Sequence, residues 1–230
     1  MDLNKPVIRG TSFCLVMLLL LGCFASNKTD YPTPSSTPAR DILFSNQQAP
    51  SGFGAYGYLI LTKRPSENNL RRYMNVCAAF IRNLEPVTSY SADPQSWLMP
   101  TYWLAEDSTR VNHQQPDCLQ WVLKYDYARA KRMASAINTL SSNGPILVAW
   151  SQPYETVANE ETALVLNLSD FSDDDLDRAF GIWMDRITRD PEIWKAGFNL
   201  VLAKEVYRNF LEKYGDYIVS SVKVIKEIVG

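Results

Sequence analysis

Apolar and polar positions change their period several times along the chain, and each change marks an element. Tyr56-Gly57-Tyr58-Leu59-Ile60-Leu61-Thr62 is aromatic, aliphatic and β-branched, with glycines before it and Lys63-Arg64-Pro65 after it, which predicts a strand. From Asn69 to Leu84 the positions Leu70, Tyr73, Met74, Cys77, Phe80, Ile81 and Leu84 recur at three and four, predicting an amphipathic helix that Ser66 can cap and Pro86 stops. A second strand is expected within Trp97 to Ala105, where Pro100 requires an edge, a bulge or a start after it. Asp117 to Leu140 reads as helix in two pieces meeting near Asp126: Cys118, Trp121, Val122 and Tyr125 form one apolar face, and Ala130, Met133, Ala134, Ile137 and Leu140 another.

Asn143-Gly144-Pro145 then turns the chain into Ile146-Leu147-Val148-Ala149-Trp150, a continuous apolar run suited to a strand covered on both faces. Ala163 to Leu168 predicts another strand. Ser172 with Asp175 makes a capping box for a helix carrying Leu176, Phe180, Trp183, Met184 and Ile187 inward. Asp190-Pro191 starts a further helix through Tyr214, and a last one is expected through Ile218, Val222, Ile225 and Val229. The order of elements predicts an α/β or α+β domain: a mixed four-stranded sheet with helices packed on it, followed by extra C-terminal helices. With Pro145 just before the third strand, this order resembles the thioredoxin-like architecture. The dithiol that defines that family is missing, because the loop after the first strand, Lys63 to Asn69, holds no cysteine. A different α+β sheet stays open as an alternative, and fold alone does not fix function.

The first residues follow another pattern. Lys5 and Arg9 precede an apolar run from Phe13 to Leu21, the layout of an export signal and too short to span a bilayer, which takes about 20 apolar residues. The run ends in Leu20-Leu21-Gly22-Cys23, which resembles the lipobox of bacterial lipoprotein precursors. That resemblance covers the signal alone. It implies removal of residues 1–22, a diacylglycerol on the Cys23 thiol and a further acyl chain on its amine, an anchor of more than one chain. Leu21 stands where the family more often has a small residue, and ordinary cleavage after Ala25 is the competing reading. Pro32, Pro34, Pro38 and Pro50 lie among Ser, Thr, Asn and Gln, so residues 23–51 read as a lipidated cysteine followed by a flexible tether. Residues 52–230 are long enough for one globular domain with a real core.

Composition narrows the partners. The chain is 46% hydrophobic with a formal net charge of −2, and its basic pairs are scattered, so no nucleic-acid footprint is present. With Cys14 in the signal and Cys23 lipidated, Cys77 and Cys118 remain as an even pair. In an oxidising periplasm they are expected to form a structural disulfide; the alternatives are two buried free thiols and redox chemistry. Their separation excludes the close C-x-x-C spacing of dithiol redox motifs and zinc knuckles.

Candidate chemistry is sparse. His113, the one histidine, lies in a polar loop without a neighbouring nucleophile and cannot make a multi-ligand zinc site. The acidic run Asp170 to Asp177 lacks the glycine and glutamate positions of an EF-hand and reads as helix capping. Glu155, Glu160 and Glu161 read as loop carboxylates, although paired carboxylates serve glycoside hydrolysis. Gly52 to Gly57 precedes a strand, so it cannot cradle phosphate at a helix start. No cofactor or metal is expected. Among the aromatics, most of which should be core, Tyr125, Asp126, Tyr127 and Arg129 combine ring and ionisable groups at a helix junction and form the first candidate for a ligand or partner. Taken together, these features predict a membrane-anchored lipoprotein on the periplasmic face of a bacterial membrane. It would bind or assemble with another envelope protein without catalysis. The alternative is an envelope enzyme, a hydrolase or redox-related, with a site built from dispersed residues.

Overall fold

A computed structural model of the protein describes residues 37–90, 98–107, 111, 114–137, 144–150, 152–154, 163–169, 171–184, 193, 199, 201–202, 205–206, 208–209 and 222–225. All of these belong to one compact unit, Pro34–Gly230. The strands are β1 (Thr37–Phe44), β2 (Tyr56–Leu61), β3 (Glu85–Pro86), β4 (Leu98–Ala105), β5 (Pro145–Trp150), β6 (Ala163–Asn167) and β7 (Val222–Ile225). The helices are α1 (Leu70–Asn83), α2 (Cys118–Leu123), α3 (Tyr127–Ala136) and α4 (Asp173–Ile182). The seven strands form one mixed sheet in the order β3-β1-β4-β2-β5-β6-β7. β3, β1, β4 and β2 run parallel, and β5, β6 and β7 alternate in direction from β2 outward.

The α/β class and the predicted elements from Tyr56 to Ile182 are present, with more strands than the four expected; Pro100, expected to mark an edge, a bulge or a strand start, lies inside β4 between β1 and β2, where it is in register with Ala39 and precedes the first β2 pairing at Thr101. β1 is the first correction, because it falls in the stretch read as tether to residue 51. Pro38 within it and Pro32, Pro34 and Pro50 around it masked the signal. Pro38 is tolerated because alternate amides of this strand, at Ile42 and Phe44, turn away from β4, where a missing N–H breaks no ladder. β7 is the second correction, since Val222–Ile225 was expected in a helix. Val-Lys-Val-Ile is β-branched at three of four positions, and pairing with β6 prevails over the helical spacing. Of the single helix expected through Tyr214, the described residues Ile193, Val201, Leu202, Glu205, Val206, Arg208 and Asn209 are helical, but Asn199 is not: its Oδ1 accepts from the Val201 and Leu202 amides at 3.1 Å, so the helix restarts there. Asp126 caps α3 at the predicted junction, accepting from the Arg129 amide, and Asp117 caps α2.

Side chains alternate between the two faces of the sheet. One face, the helix side, carries Leu59, Thr101, Trp103 and Leu147, with Gly57 between them. α1 meets it through Phe80, 6.0 Å from the Trp103 ring, α2 through Trp121 at 5.6 Å, and α4 through Trp183, whose Nε1 donates to Thr101 Oγ1 at 2.9 Å. Gly57 allows this approach, because a Cβ there would lie 2.6 Å from Thr101 Oγ1 and 2.9 Å from the Trp183 ring. The opposite face, the loop side, carries Asp41, Tyr56, Tyr58, Tyr102, Val148 and Trp150. Phe53 and Tyr154 from short connecting segments pack on it. No helix among the described residues is long and apolar enough to cross a membrane.

Candidate functional site

The parallel strands β4 and β2 stay paired only as far as Trp103 and Leu59. Beyond that point their C-terminal ends separate, which is where open α/β sheets form a ligand crevice. Here the junction between α2 and α3 fills the gap. Tyr125 bridges to Ala105, the Glu106 amide donates to the Lys124 carbonyl at 2.8 Å, and the Asp126 amide donates to the Leu104 carbonyl at 3.2 Å. The Tyr125 hydroxyl donates to the Leu59 carbonyl at 2.8 Å and accepts from the Leu61 amide at 3.1 Å. One phenol therefore takes the place of a strand along the free edge of β2. Burial drives the Tyr125 hydroxyl far above the ordinary phenol range, so it acts as a hydrogen-bonding group and not as a base.

The rest of the cluster is occupied in the same way. Tyr127 donates to the Val122 carbonyl at 3.0 Å, and Arg64 lies 5.5 Å over its ring. Arg129 is buried, and its Nη1 donates to the Phe44 and Gln47 carbonyls at 3.2 and 3.1 Å, tying α3 to the end of β1. Desolvation lowers its pKa, and nearby Tyr58 and Asp126 oppose that shift. The structure thus brings Tyr125, Asp126, Tyr127 and Arg129 together, as a plug whose named groups are engaged with main chain.

Arg40 on β1, which the sequence did not single out, works similarly. Its Nη1 donates to the Ile81 carbonyl at 3.0 Å and also to the Leu84 carbonyl, placing a cation at the C-terminus of α1 where the helix dipole favours it.

Cys77 in α1 and Cys118 at the start of α2 form a disulfide with Cα atoms 5.7 Å apart. It binds two helices of the helix side across 41 residues. The acidic run is also consumed by structure. Ser172 caps α4 with Asp175, Arg82 pairs bidentately with Asp177 at 2.6 and 2.7 Å, and Asn75 donates to Asp173 at 2.9 and 3.0 Å. These contacts join α1 to α4, and no metal-holding group of three acidic, cysteine or histidine residues occurs among the described residues. Cys23, His113, Glu155, Glu160, Glu161 and Asp170 lie outside the described residues.

The loop side holds a second polar gathering. The Tyr56 oxygen accepts from the Phe53 amide at 3.2 Å, and the Tyr58 oxygen from the Tyr154 amide at 3.1 Å. Tyr102 packs against Tyr58 with ring centroids 5.5 Å apart, and Tyr58 meets Trp150 at the same distance. Burial pushes the Tyr58 and Tyr102 hydroxyls well above the ordinary range; Asp41 adds to the rise at Tyr102, and Arg129 tempers it at Tyr58. The alternation Tyr56-Gly57-Tyr58 was the sequence signal for this face, but only register could join it to Asp41. No protein-family model matches the chain, and no curated protein or solved structure is similar to it.

Proposed function

We propose that the chain is an exported, lipid-anchored envelope protein whose α/β domain binds or assembles with another envelope protein and carries out no catalysis. The observation that carries this reading is the disulfide between Cys77 and Cys118, since such bonds persist in oxidising compartments and are rare in the cytosol. It agrees with Lys5, Arg9, the apolar run and Leu20-Leu21-Gly22-Cys23 at the start of the chain. The finer fold assignment is thioredoxin-like without the dithiol. It is supported by the sub-order β4-β2-β5-β6, by α1 joining the parallel pair β2 and β4, and by antiparallel β5 and β6. In the segment Lys63 to Asn69, where the family keeps its cysteines, the N-cap of α1 is Asn69 and not the expected Ser66; no side chain caps the helix, and the Ser66 amide donates to Asn69 Oδ1 at 2.6 Å. The binding role without catalysis is supported by the plug, because Tyr125 fills the crevice where an enzyme of this architecture would place substrate.

The test is a mass measurement of the mature N-terminus combined with thiol labelling under denaturing, non-reducing conditions. The expected outcome is a multiply acylated Cys23 with Cys77 and Cys118 unreactive until reductant is added. An unmodified terminus at Ser26 rejects the anchor, and full reactivity of both cysteines rejects the oxidising compartment.

A further inference from the structure

β1 begins at Thr37, so only residues 24–36 separate it from Cys23, a much shorter tether than the one expected up to residue 51. A chain of this length reaches at most about 50 Å fully extended and averages about 20 Å as a flexible coil, close to the radius of a domain of this size. The position of Thr37 therefore decides which end of the domain stays nearest the anchor. Thr37 pairs with Leu98 at the start of two parallel strands, and Tyr56, the start of the third, pairs with Trp150 at the same rim of the sheet. The Gly54 amide donates to the Leu98 carbonyl at 3.2 Å, so the residues before β2 lie beside the point where the chain from Cys23 enters the sheet. Tyr154 returns from the end of β5 at this rim, its ring 5.7 Å from that of Trp150.

Pro50 to Tyr56 and Gln152 to Tyr154 carry no charged side chain. Phe53 and Tyr154 are half-buried, packed on sheet rings and still partly open to solvent, and Ser51, Gly52 and Gln152 beside them are exposed. The opposite rim differs. There the strand ends run into exposed charges, Lys63 and Arg64 after β2 and Glu106 and Asp107 after β4. Aromatic rings settle at the boundary between lipid and water, whereas formal charges stay in water. We propose that the rim carrying Thr37, Phe53 and Tyr154 rests on the bilayer that holds the Cys23 anchor, with the charged rim turned to water; this rests on the lipid-anchored reading given above. Rings and uncharged backbone make the contact, so it takes the lipid interface itself and not an anionic headgroup. A chain with a net charge of −2 has no general attraction to an anionic surface. Two rings would not hold a free domain, but the anchor supplies the local concentration at which a weak contact sets orientation.

The test places the mature, full-length protein on phosphatidylcholine vesicles. Ser51→Cys, Gln152→Cys, Lys63→Cys and Glu106→Cys variants each take one nitroxide, and collision with oxygen against collision with a water-soluble nickel chelate reports the depth of each label. Ser51→Cys and Gln152→Cys labels are expected at headgroup depth, shielded from the chelate, with Lys63→Cys and Glu106→Cys labels at bulk-water values. Phe53→Asp should return the Ser51→Cys label toward bulk water, and added salt should leave its depth unchanged, because no charge makes the contact. The mass of the mature N-terminus is measured on the same samples. An unacylated terminus overturns the lipid-anchored reading and this proposal with it. With Cys23 acylated, bulk-water values at all four positions overturn the docking alone and leave the rim to a protein partner. Greater depth at Lys63→Cys or Glu106→Cys reverses the orientation and overturns it too, as does a Phe53→Asp protein whose Ser51→Cys label stays at headgroup depth.

Discussion

The helix side and the loop side of the sheet are both packed with aromatic rings, but they are fastened differently. On the helix side, Trp103 Nε1 donates to the Trp121 carbonyl at 3.2 Å and Trp183 Nε1 to Thr101 at 2.9 Å, while the Cys77–Cys118 disulfide and the Arg82–Asp177 pair lock α1 to its neighbours. On the loop side the Phe53 and Tyr154 amides are given to Tyr56 and Tyr58, the Gly54 amide to the Leu98 carbonyl, and the Tyr102 hydroxyl has no hydrogen-bond partner among the described residues. The two sides have equally buried rings, so ring burial alone does not set local rigidity. What separates them is the kind of tie: α1 is held by a disulfide and a bidentate ion pair, the covering segments of the loop side by hydrogen bonds and ring contacts. Local opening follows the weaker fastening.

The largest test of this contrast removes the covalent tie. Cys77→Ala with Cys118→Ala should lower unfolding stability by roughly 3–4 kcal/mol, the loop-closure contribution for a ring of this length. Urea titration of the variant against the oxidised parent measures it. Within what remains folded, hydrogen exchange should speed most in α2, a helix too short to hold without partners. An equal rise at the Phe53 and Tyr154 amides would mean that the two sides open as one unit, and the contrast would fall.

Next comes the plug at the strand ends. Tyr125→Phe keeps the ring but strands the Leu59 carbonyl and the Leu61 amide, two buried main-chain groups at about 1–3 kcal/mol each. A loss of roughly 2–4 kcal/mol is expected, with Leu61 exchange accelerated most. A loss below about 0.5 kcal/mol would show that the junction does not complete the sheet edge.

Gly57→Ala probes the helix side from within. A Cβ at 2.6 Å from Thr101 Oγ1 and 2.9 Å from the Trp183 ring must push the Thr101 side chain and the indole aside. Overpacking of this kind costs about 1–3 kcal/mol. Tryptophan fluorescence should report the displaced Trp183, and a variant as stable as the parent would mean that α4 yields easily.

Legibility in the sequence followed how local each cause was. β2, α1 and β5 could be read because their apolar periods lie within single segments, and the break at Asp126 because a capping aspartate acts on an amide three residues away. β1 could not, because its polar residues work at a distance. Arg40 looks like tether chemistry until its guanidinium is seen on the carbonyls of Ile81 and Leu84. β7 failed for a related reason: Val222, Val224 and Ile225 fit either period, and only the free edge of β6 decides between them. At the candidate site, ring and charge composition grouped Tyr125, Asp126, Tyr127 and Arg129, four residues that the fold brings together. Their task as a plug depends on β2 outrunning its pairing with β4, a matter of register that no spacing records. Cysteine counting left bridge and free thiols as alternatives, and the packing of α2 on α1 decides between them.

The smallest expected effect bears on the loop side directly. Tyr58→Phe removes the acceptor of the Tyr154 amide and should cost about 0.5–1.5 kcal/mol near neutral pH, the net value of one hydrogen bond. Exchange at Tyr154 should rise while Leu61 stays protected. Alkaline pH gives the same phenol a second readout. Burial raises the Tyr58 pKa in the folded state above its ordinary value of 10.0, so above that pH the unfolded chain loses a proton that the native protein keeps. Its contribution is fully present below about pH 10 and declines as pH rises further. The phenylalanine variant should therefore start less stable and lose stability less steeply with alkali, so that the two curves converge above pH 10. Parallel curves would show that Tyr58 ionises as freely in the folded protein as in the unfolded chain, which requires the segment at Tyr154 to stand open and leaves no enclosed loop side to contrast with the helix side.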